Sequence, residues 1–165
     1  MKSLGFSNLN QPCWLSYSEP ILTEQLVVFC NDKDGKWPDS YTGKGVAINY
    51  GFAFPKEIFD LIASKKMTLE HPKDNEQSLK FLYQNKVSCY INDKNSIYYT
   101  LKSLNYDSNK VYLKAVIENV DGYLGYSHDK KLFPYGDTFI RKFNSLLLKM
   151  KKDGEIEAIT KSFLK

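Results

Sequence analysis

From Thr42 to Asp93, short apolar runs and amphipathic stretches alternate without a gap, a pattern that predicts a βαβαβ block. Gly45-Val46-Ala47-Ile48-Asn49 lies between the turn Thr42-Gly43-Lys44 and Gly51, which predicts a buried strand opening into a loop over residues 50–54. Pro55 suits the start of a helix, where its missing N–H would be unpaired anyway. Ile58, Phe59, Leu61 and Ile62 supply that helix with an apolar face, and Lys65 and Lys66 suit its negative end. Met67–Glu70 reads as a second strand. A second helix starts at Asp74, whose carboxylate can cap it while Gln77 reaches back, and carries Leu79, Phe81, Leu82 and Tyr83. Val87–Ile91 is the third strand and ends on Asn92-Asp93. Open α/β sheets bind ligands at the carboxyl ends of their strands, so the loop after Asn49 and the side chain of Asp93 are expected at one rim.

Outside this block the pattern is sparser. Met1–Pro20 shows no period and reads as loop. Leu26-Val27-Val28-Phe29 predicts a buried strand, and the polar turn that follows puts a boundary near residue 31. Beyond Asp93, residues 95–104 predict a short helix with Ile97, Leu101 and Leu104 inward; Val111–Ile117 and Tyr123–Ser127 read as strands, with a second boundary near residues 119–122. From Asp137 the spacing of Phe139, Phe143, Leu146, Leu147 and Met150 is helical, Asp153-Gly154 breaks it, and Ile156, Ile159 and Phe163 form a last amphipathic segment. There is no internal repeat.

Composition narrows the function classes. With 165 residues and 42% hydrophobic content the chain can pack one ordinary domain or two small ones. The net charge of +4 comes from 23 basic and 19 acidic residues, and Arg141 is the only Arg, which argues against a nucleic-acid partner. No apolar run is long enough to span a membrane, and Met1-Lys2-Ser3 is not followed by a signal-peptide core. Cys13, Cys30 and Cys89 show neither CxxC nor Cys/His spacing, so no zinc or redox motif is indicated, and an odd count leaves at least one thiol free unless chains are cross-linked. His71 and His128 pair with no obvious nucleophile, no spacing makes a cluster of Asp93, Asp129 and Asp137, and GxGxxG, P-loop and GxSxG are absent. No catalytic residue, cofactor or metal is expected.

Taken in order, four stretches carry a resemblance. Tyr17-Ser18-Glu19-Pro20, Thr42-Gly43-Lys44-Gly45-Val46-Ala47-Ile48 with Gly51, Lys86-Val87-Ser88-Cys89-Tyr90-Ile91-Asn92-Asp93, and the tail from Phe139 to Leu164 resemble the family 3 extracytoplasmic solute-binding proteins of bacterial ABC importers, the group that binds polar amino acids. Together they cover almost the whole chain. The resemblance implies an α/β fold of the type 2 periplasmic-binding-protein class: a parallel-rich second lobe flanked by helices, with an incomplete remainder of a first lobe. It implies residues 1–30 as that remnant plus the first crossing strand, 31–122 as the second lobe, and 123–165 as the return crossing and closing helices. Leu26–Phe29 and Tyr123–Tyr126 would be the crossing strands, and the opening repeats of the first lobe would be missing. A small polar solute in the cleft, a membrane permease as partner and a periplasmic or extracytoplasmic location follow by the same resemblance. The alternative is a sensor or interaction domain built on that fold.

The resemblance also locates a site and its departures. The family clamps an amino acid's carboxylate with an Arg upstream of the Ser-x-Pro turn and with hydroxyl residues after the second-lobe glycine. Here Ser7–Cys13 offers Gln11 at best, and Gly51 is followed by Phe52 and Ala53. Without the bidentate Arg, a carboxylate loses its strongest anchor. Asp93 remains to take an ammonium group, against the plainer alternative of a solvent-facing Asp at a strand end. Phe52 and Phe54 are either an apolar wall for a ligand or packing of the loop against its own helix; Tyr98 and Tyr99 read as surface and core of a short helix. Weak binding of ordinary α-amino acids is expected, and a solute joining an amine to an apolar body fits better. The apolar faces near Val27 and on the helix of Phe139 to Met150 are expected to seek a cover, either in a homodimer or by a displaced terminal helix docking on the second lobe.

Overall fold

The computed structural model of the chain describes Leu15–Leu164, so Gln11 and Cys13 lie outside the described residues. The described residues divide into two compact units: one holds those up to Glu24 and from Val120 on, the other Gln25–Asn119.

The second unit is built on a five-stranded sheet. Its strands are β2 (Leu22–Cys30), β3 (Gly45–Ile48), β4 (Thr68–Glu70), β5 (Cys89–Asp93) and β6 (Tyr112–Gly122), in the order β4-β3-β5-β2-β6. β3 pairs in parallel with both β4 and β5, joined by right-sized helical connections: α1 (Lys56–Ser64) and α2 (Asn75–Tyr83). The expected block is thus present in one sheet. The sheet is mixed rather than mainly parallel, because β2 enters next to β5 and runs against it, from Leu26↔Asp93 to Cys30↔Cys89. β6 lies beside β2, also reversed, as the contacts Thr23–Asp121 and Gln25–Asn119 require.

Alternation along the buried strands sorts their side chains onto two faces. Leu26, Val28, Val46, Ile48 and Ile91 pack with Ile58 and Ile62 of α1. Val27, Phe29, Ala47 and Tyr90 pack with Leu79 and Leu82 of α2 and with Ile97 and Leu101 of α3 (Lys94–Ser103). Strands covered on both sides read as unbroken apolar runs, as Leu26–Phe29 does. Each buried Val, Leu or Ile contributes about 1.5–3 kcal/mol, so these two layers dominate the unit's stability. The helix ends follow their local chemistry. The Asp74 carboxylate accepts the Gln77 N–H at 2.8 Å, while Gln77 reaches back to the Lys73 N–H, one residue before the expected cap. Tyr98 packs edge-on against Phe29 and Tyr99 is exposed, the reverse of the expected surface and core, because α3 turns Tyr98 towards the sheet.

The first unit pairs β1 (Leu15–Tyr17) with β7 (Gly125–Ser127) in an antiparallel ribbon and adds α4 (Gly136–Lys152) and α5 (Glu155–Leu164). β1 forms where no element was expected. The Tyr17-Ser18-Glu19-Pro20 turn has a structural duty: Ser18 donates its N–H to the Leu124 carbonyl and its Oγ accepts the Leu124 N–H, both at 3.0 Å. Asn144 of α4 accepts the Glu19 N–H at 3.0 Å, so two stretches of the resemblance meet here. α4 ends before Gly154, whose φ of 75° suits glycine. Of its expected apolar face only Leu147 is buried; Ile140, unforeseen, is buried too, while Phe139 and Leu146 stay exposed.

The passages between units lie in β2 and β6. Tyr123–Tyr126 therefore does not cross: the return strand is β6, extended to Gly122, and the chain divides at 24/25 and 119/120 instead of the expected 30/31 and 122/123. Glu118, Asn119 and Asp121 hide this strand from a reading of apolar runs.

Cys30 and Cys89 form a disulfide with their Cα atoms 4.1 Å apart. They face each other across β2 and β5, a proximity that their separation of 59 residues conceals. Closing so long a loop restricts the unfolded chain and stabilises the fold by about 2–4 kcal/mol. Reduction should therefore lower the urea midpoint of the wild type, whereas a Cys30→Ala, Cys89→Ala double variant should start from that lower midpoint and ignore reductant. Equal midpoints for the oxidised and reduced wild type would contradict this.

Candidate functional site

In the second unit the parallel strands β3, β4 and β5 all end at one rim and are followed there by α1, α2 and α3. Ile48 stands beside Ile91, so the loop after β3 and the Asn92-Asp93 end of β5 leave the sheet together.

Asp93 is only 8% exposed. Its Oδ1 caps α3 by accepting the Ser96 N–H at 2.7 Å, and its own N–H donates to Asn92 Oδ1 at 2.8 Å. Its Oδ2 is buried and has no hydrogen-bond partner. Asp93 is therefore not the solvent-facing strand end of the plainer alternative: one carboxylate oxygen is tied to the helix and the other is left unmatched below the surface.

Behind Asp93 lies a polar network that was not foreseen. Asn75, the first residue of α2, presents Oδ1 to three donors: Asn49 Nδ2 at 2.5 Å, Asn92 Nδ2 at 2.8 Å and Tyr90 Oη at 2.9 Å. Ser78 donates to Asn49 Oδ1 at 2.6 Å, and Asn92 Nδ2 also donates to Tyr90 Oη at 2.5 Å. The network joins the end of β3, the start of α2 and the end of β5, fixing the backbone on which Asp93 is mounted. Burial pushes the Tyr90 phenol up to about 12, against the opposing pull of its hydrogen bonds with Asn92, Ser78 and Asn49. The visible signal was a polar residue closing each of two apolar strands, Asn49 and Asn92, but only the fold brings Asn75 and Ser78 to them.

Gly51, with φ of 73°, turns the loop after β3. Gly51, Phe52 and Ala53 are exposed, Phe52 at 37%. Phe54 is buried in the cluster of Leu26 and Ile58; its ring lies 5.0 Å from that of Phe52 and 6.1 Å from that of Phe59 on α1. The loop thus packs on its own helix through Phe54. Arg141 lies in α4 of the other unit, where its Nε donates to the Asp137 carbonyl at 3.0 Å. A second carboxylate was overlooked in the sequence: Glu118 on β6 has a buried Oε2 without a partner, and burial, then the nearby Glu57, raise its carboxyl above the usual range. Among the described residues no group of three or more His, Cys, Asp or Glu is placed to hold a metal.

By sequence, no protein-family model and no curated protein matches the chain. Solved structures do. The L-cystine solute receptor of Neisseria gonorrhoeae, in its unliganded open conformation, aligns over 98% of this chain and 65% of its own, with a TM-score of 0.69 at 18% identity. The second substrate-binding domain of Lactococcus lactis GlnP aligns over 91% of this chain and 62% of its own, with a TM-score of 0.65 at 20% identity. The GluR0 ligand-binding core of Nostoc punctiforme, in complex with L-glutamate, aligns over 99% and 71%, with a TM-score of 0.66 at 15% identity. The chain has the type 2 periplasmic-binding-protein fold. It spans about two thirds of the length of the solved chains that share this fold.

The network generates a prediction. Asn75→Ala removes the acceptor shared by Asn49, Tyr90 and Asn92 and should cost about 1–3 kcal/mol in urea unfolding. With its phenol held at about 12 in the fold and near 10 when unfolded, Tyr90 favours the folded state at neutral pH and loses that contribution as pH rises from about 10 to 12. Tyr90→Phe should therefore flatten the alkaline fall in stability; an unchanged alkaline limb would place that loss elsewhere.

Proposed function

We propose that this chain is a solute-binding protein that captures a small amine-bearing solute at the rim of its second unit, with Asp93 as the ammonium anchor. The observation that carries the reading is the buried, unpartnered Asp93 Oδ2 beside an Oδ1 already fixed by the start of α3. A carboxylate oxygen withheld from both water and protein donors is a strong acceptor for a cation, and its orientation is set in advance. The fold shared with the L-cystine solute receptor and the GlnP substrate-binding domain supports the same class of function. Ligands of such sheets sit at the carboxyl ends of the strands, where Asp93 is.

The anchors present favour an amine over an ordinary α-amino acid. The only Arg is on α4, which belongs to the other unit, and Gly51 leads into Phe52 and Ala53 instead of hydroxyl residues. Phe52 and the stem of the loop offer an apolar flank, and Gln11 is a further contact proposed from the resemblance. The Cys30–Cys89 disulfide supports an extracytoplasmic location, since such bonds persist in oxidising compartments. A membrane permease is the partner proposed for a transport role. Likeness to the GluR0 ligand-binding core favours a second reading, a sensing domain, in which the same capture of solute is the input. Neither role calls for catalysis.

Calorimetry of the chain against butylamine and the common amino acids tests the anchor. Amine binding should exceed that of the amino acids, and Asp93→Asn should weaken it by roughly ten-fold or more, as losing a buried charge partner does. Micromolar binding of an ordinary amino acid, or amine binding indifferent to Asp93→Asn, would overturn the reading.

A homodimer is proposed from the first unit, where Phe139, Leu146 and Leu148 of α4 and Ile159 of α5 remain between 43% and 61% exposed. Apolar side chains in that number on adjacent helices favour association. Sedimentation should show a concentration-dependent rise in mass that Leu146→Lys removes; a monomer at all concentrations rules the dimer out.

A further inference from the structure

The excess charge of the chain is gathered in one helix. α4 holds five of the 23 basic residues and one of the 19 acidic ones, a net +4 within 17 residues, which leaves 18 of each sign elsewhere. Between Asp137 and Asp153 there is no acidic residue. A solvated helix face ordinarily interleaves its charges and pairs them at i,i+4, as Lys56 does with Asp60 on α1 and Lys161 with Glu157 on α5. On α4 the five basic side chains are exposed, and none forms an ion pair among the described residues. Asp137, the one acid of α4, is taken by Lys130 at 3.2 Å. Residues 1–14, outside the described residues, contain no acidic side chain to offset them.

The helix dipole accounts for part of this pattern, since Lys149, Lys151 and Lys152 stand in the last turn, at its negative end. It does not account for Arg141 and Lys142, which stand in the first half of the helix. Arg141, Ser145, Lys149 and Lys152 follow at i, i+4, i+8 and i+11, in line down the helix, with Lys142 beside them. Ile140 and Leu147, which α4 buries, lie on the other side. The ridge runs roughly 16 Å from Arg141 to Lys152 at about 1.5 Å per residue. It is convex, and its cations stand apart on one helix, so they do not converge on a single small anion. The partner it fits is a flat array of anions that can shift sideways to meet each cation, as the headgroups of a bilayer do. No described helix is long and apolar enough to cross a membrane, so the contact is adsorption on headgroups and not insertion.

We propose that α4 docks the chain on a bilayer rich in anionic phospholipid through Arg141, Lys142, Lys149 and Lys152. This stands apart from the amine site, since it needs neither Asp93 nor a bound solute. A cation close to such a surface contributes roughly five-fold to affinity, and the attraction fades within a Debye length. Docking keeps the chain beside the membrane permease proposed as its partner. The ridge lies outside the seam of the proposed homodimer, because like charges meeting across a two-fold axis repel.

Co-sedimentation of the full 165-residue chain with lipid vesicles is the test. Vesicles of equal parts phosphatidylglycerol and phosphatidylcholine should bind roughly ten-fold or more tighter than phosphatidylcholine alone, and about 1 M salt should release the chain. Lys142→Glu with Lys149→Glu should weaken that binding roughly ten-fold or more. Lys80→Glu with Lys110→Glu, exposed in the other unit, changes the net charge equally and should leave most of it. Equal loss in the two double variants means that net charge alone is read and overturns the role of the ridge. Equal affinity for both vesicles, or binding to neither, overturns the docking. Binding to soluble polyglutamate without binding to vesicles assigns the ridge to an acidic protein instead. The vesicle comparison is made on the wild type and stands even if a variant fails to fold, which far-ultraviolet circular dichroism reveals.

Discussion

The second unit depends on the placing of β5 between β3 and β2, parallel to one and antiparallel to the other. Every residue of β5 from Cys89 to Asp93 is buried, so each must be satisfied by a neighbour on one face or the other. The pairing with β2 sets both ends of the strand. At one end it brings Cys30 against Cys89, close enough for a disulfide; at the other it sets Asp93 against Leu26. A slip of one residue would turn Asp93 from the α1 face to the α2 face and part the two cysteines. The cross-link and the candidate anchor are thus two consequences of a single register, and the disulfide holds in place the register that aims the carboxylate.

Local chemistry was legible where the periods are clean. The alternation of strands and helices from Gly45 to Asp93 appears as the pattern predicts, since β3, β5, α1 and α2 are each defined by residues within a dozen positions. What a linear pattern conceals is pairing over distance. β2 comes first in the unit but lies between β5 and β6, and nothing in Leu26–Phe29 announces an antiparallel neighbour sixty residues on. The first half of β6 was expected, and its extension to Gly122 escaped for a different reason. Its second half carries Glu118, Asn119 and Asp121, polar residues that end an apolar run without ending a strand.

The site divides along the same line. Asp93 could be singled out because it closes an apolar strand at the binding rim, but its cap on α3 and the unmatched Oδ2 required the fold. The network of Asn49, Asn75, Ser78, Tyr90 and Asn92 is drawn from three stretches of the chain, and its members are individually ordinary loop, helix and strand residues. Phe54 shows the converse case. Its position in a rim loop invites a ligand role, whereas its burial with Ile58 makes it the pin that fastens the loop to α1.

A buried carboxylate with one idle oxygen is a stability liability, and the structure shows how it is tolerated. Oδ1 is held by the Ser96 N–H at the positive end of α3, which offsets part of the cost of the charge. Asn92, immobilised by Asn75 and Tyr90, accepts the Asp93 N–H and so fixes the backbone from the other side. The carboxylate cannot swing to find water without giving up the cap, and the strand cannot shift without breaking the network. These constraints keep Oδ2 aimed and unsatisfied. A cation arriving there meets an acceptor whose orienting cost was met during folding, so more of the interaction is expressed as affinity. The same reasoning explains why the polar network lies behind the site and not in it: its donors and acceptors are used up in holding Asp93 still.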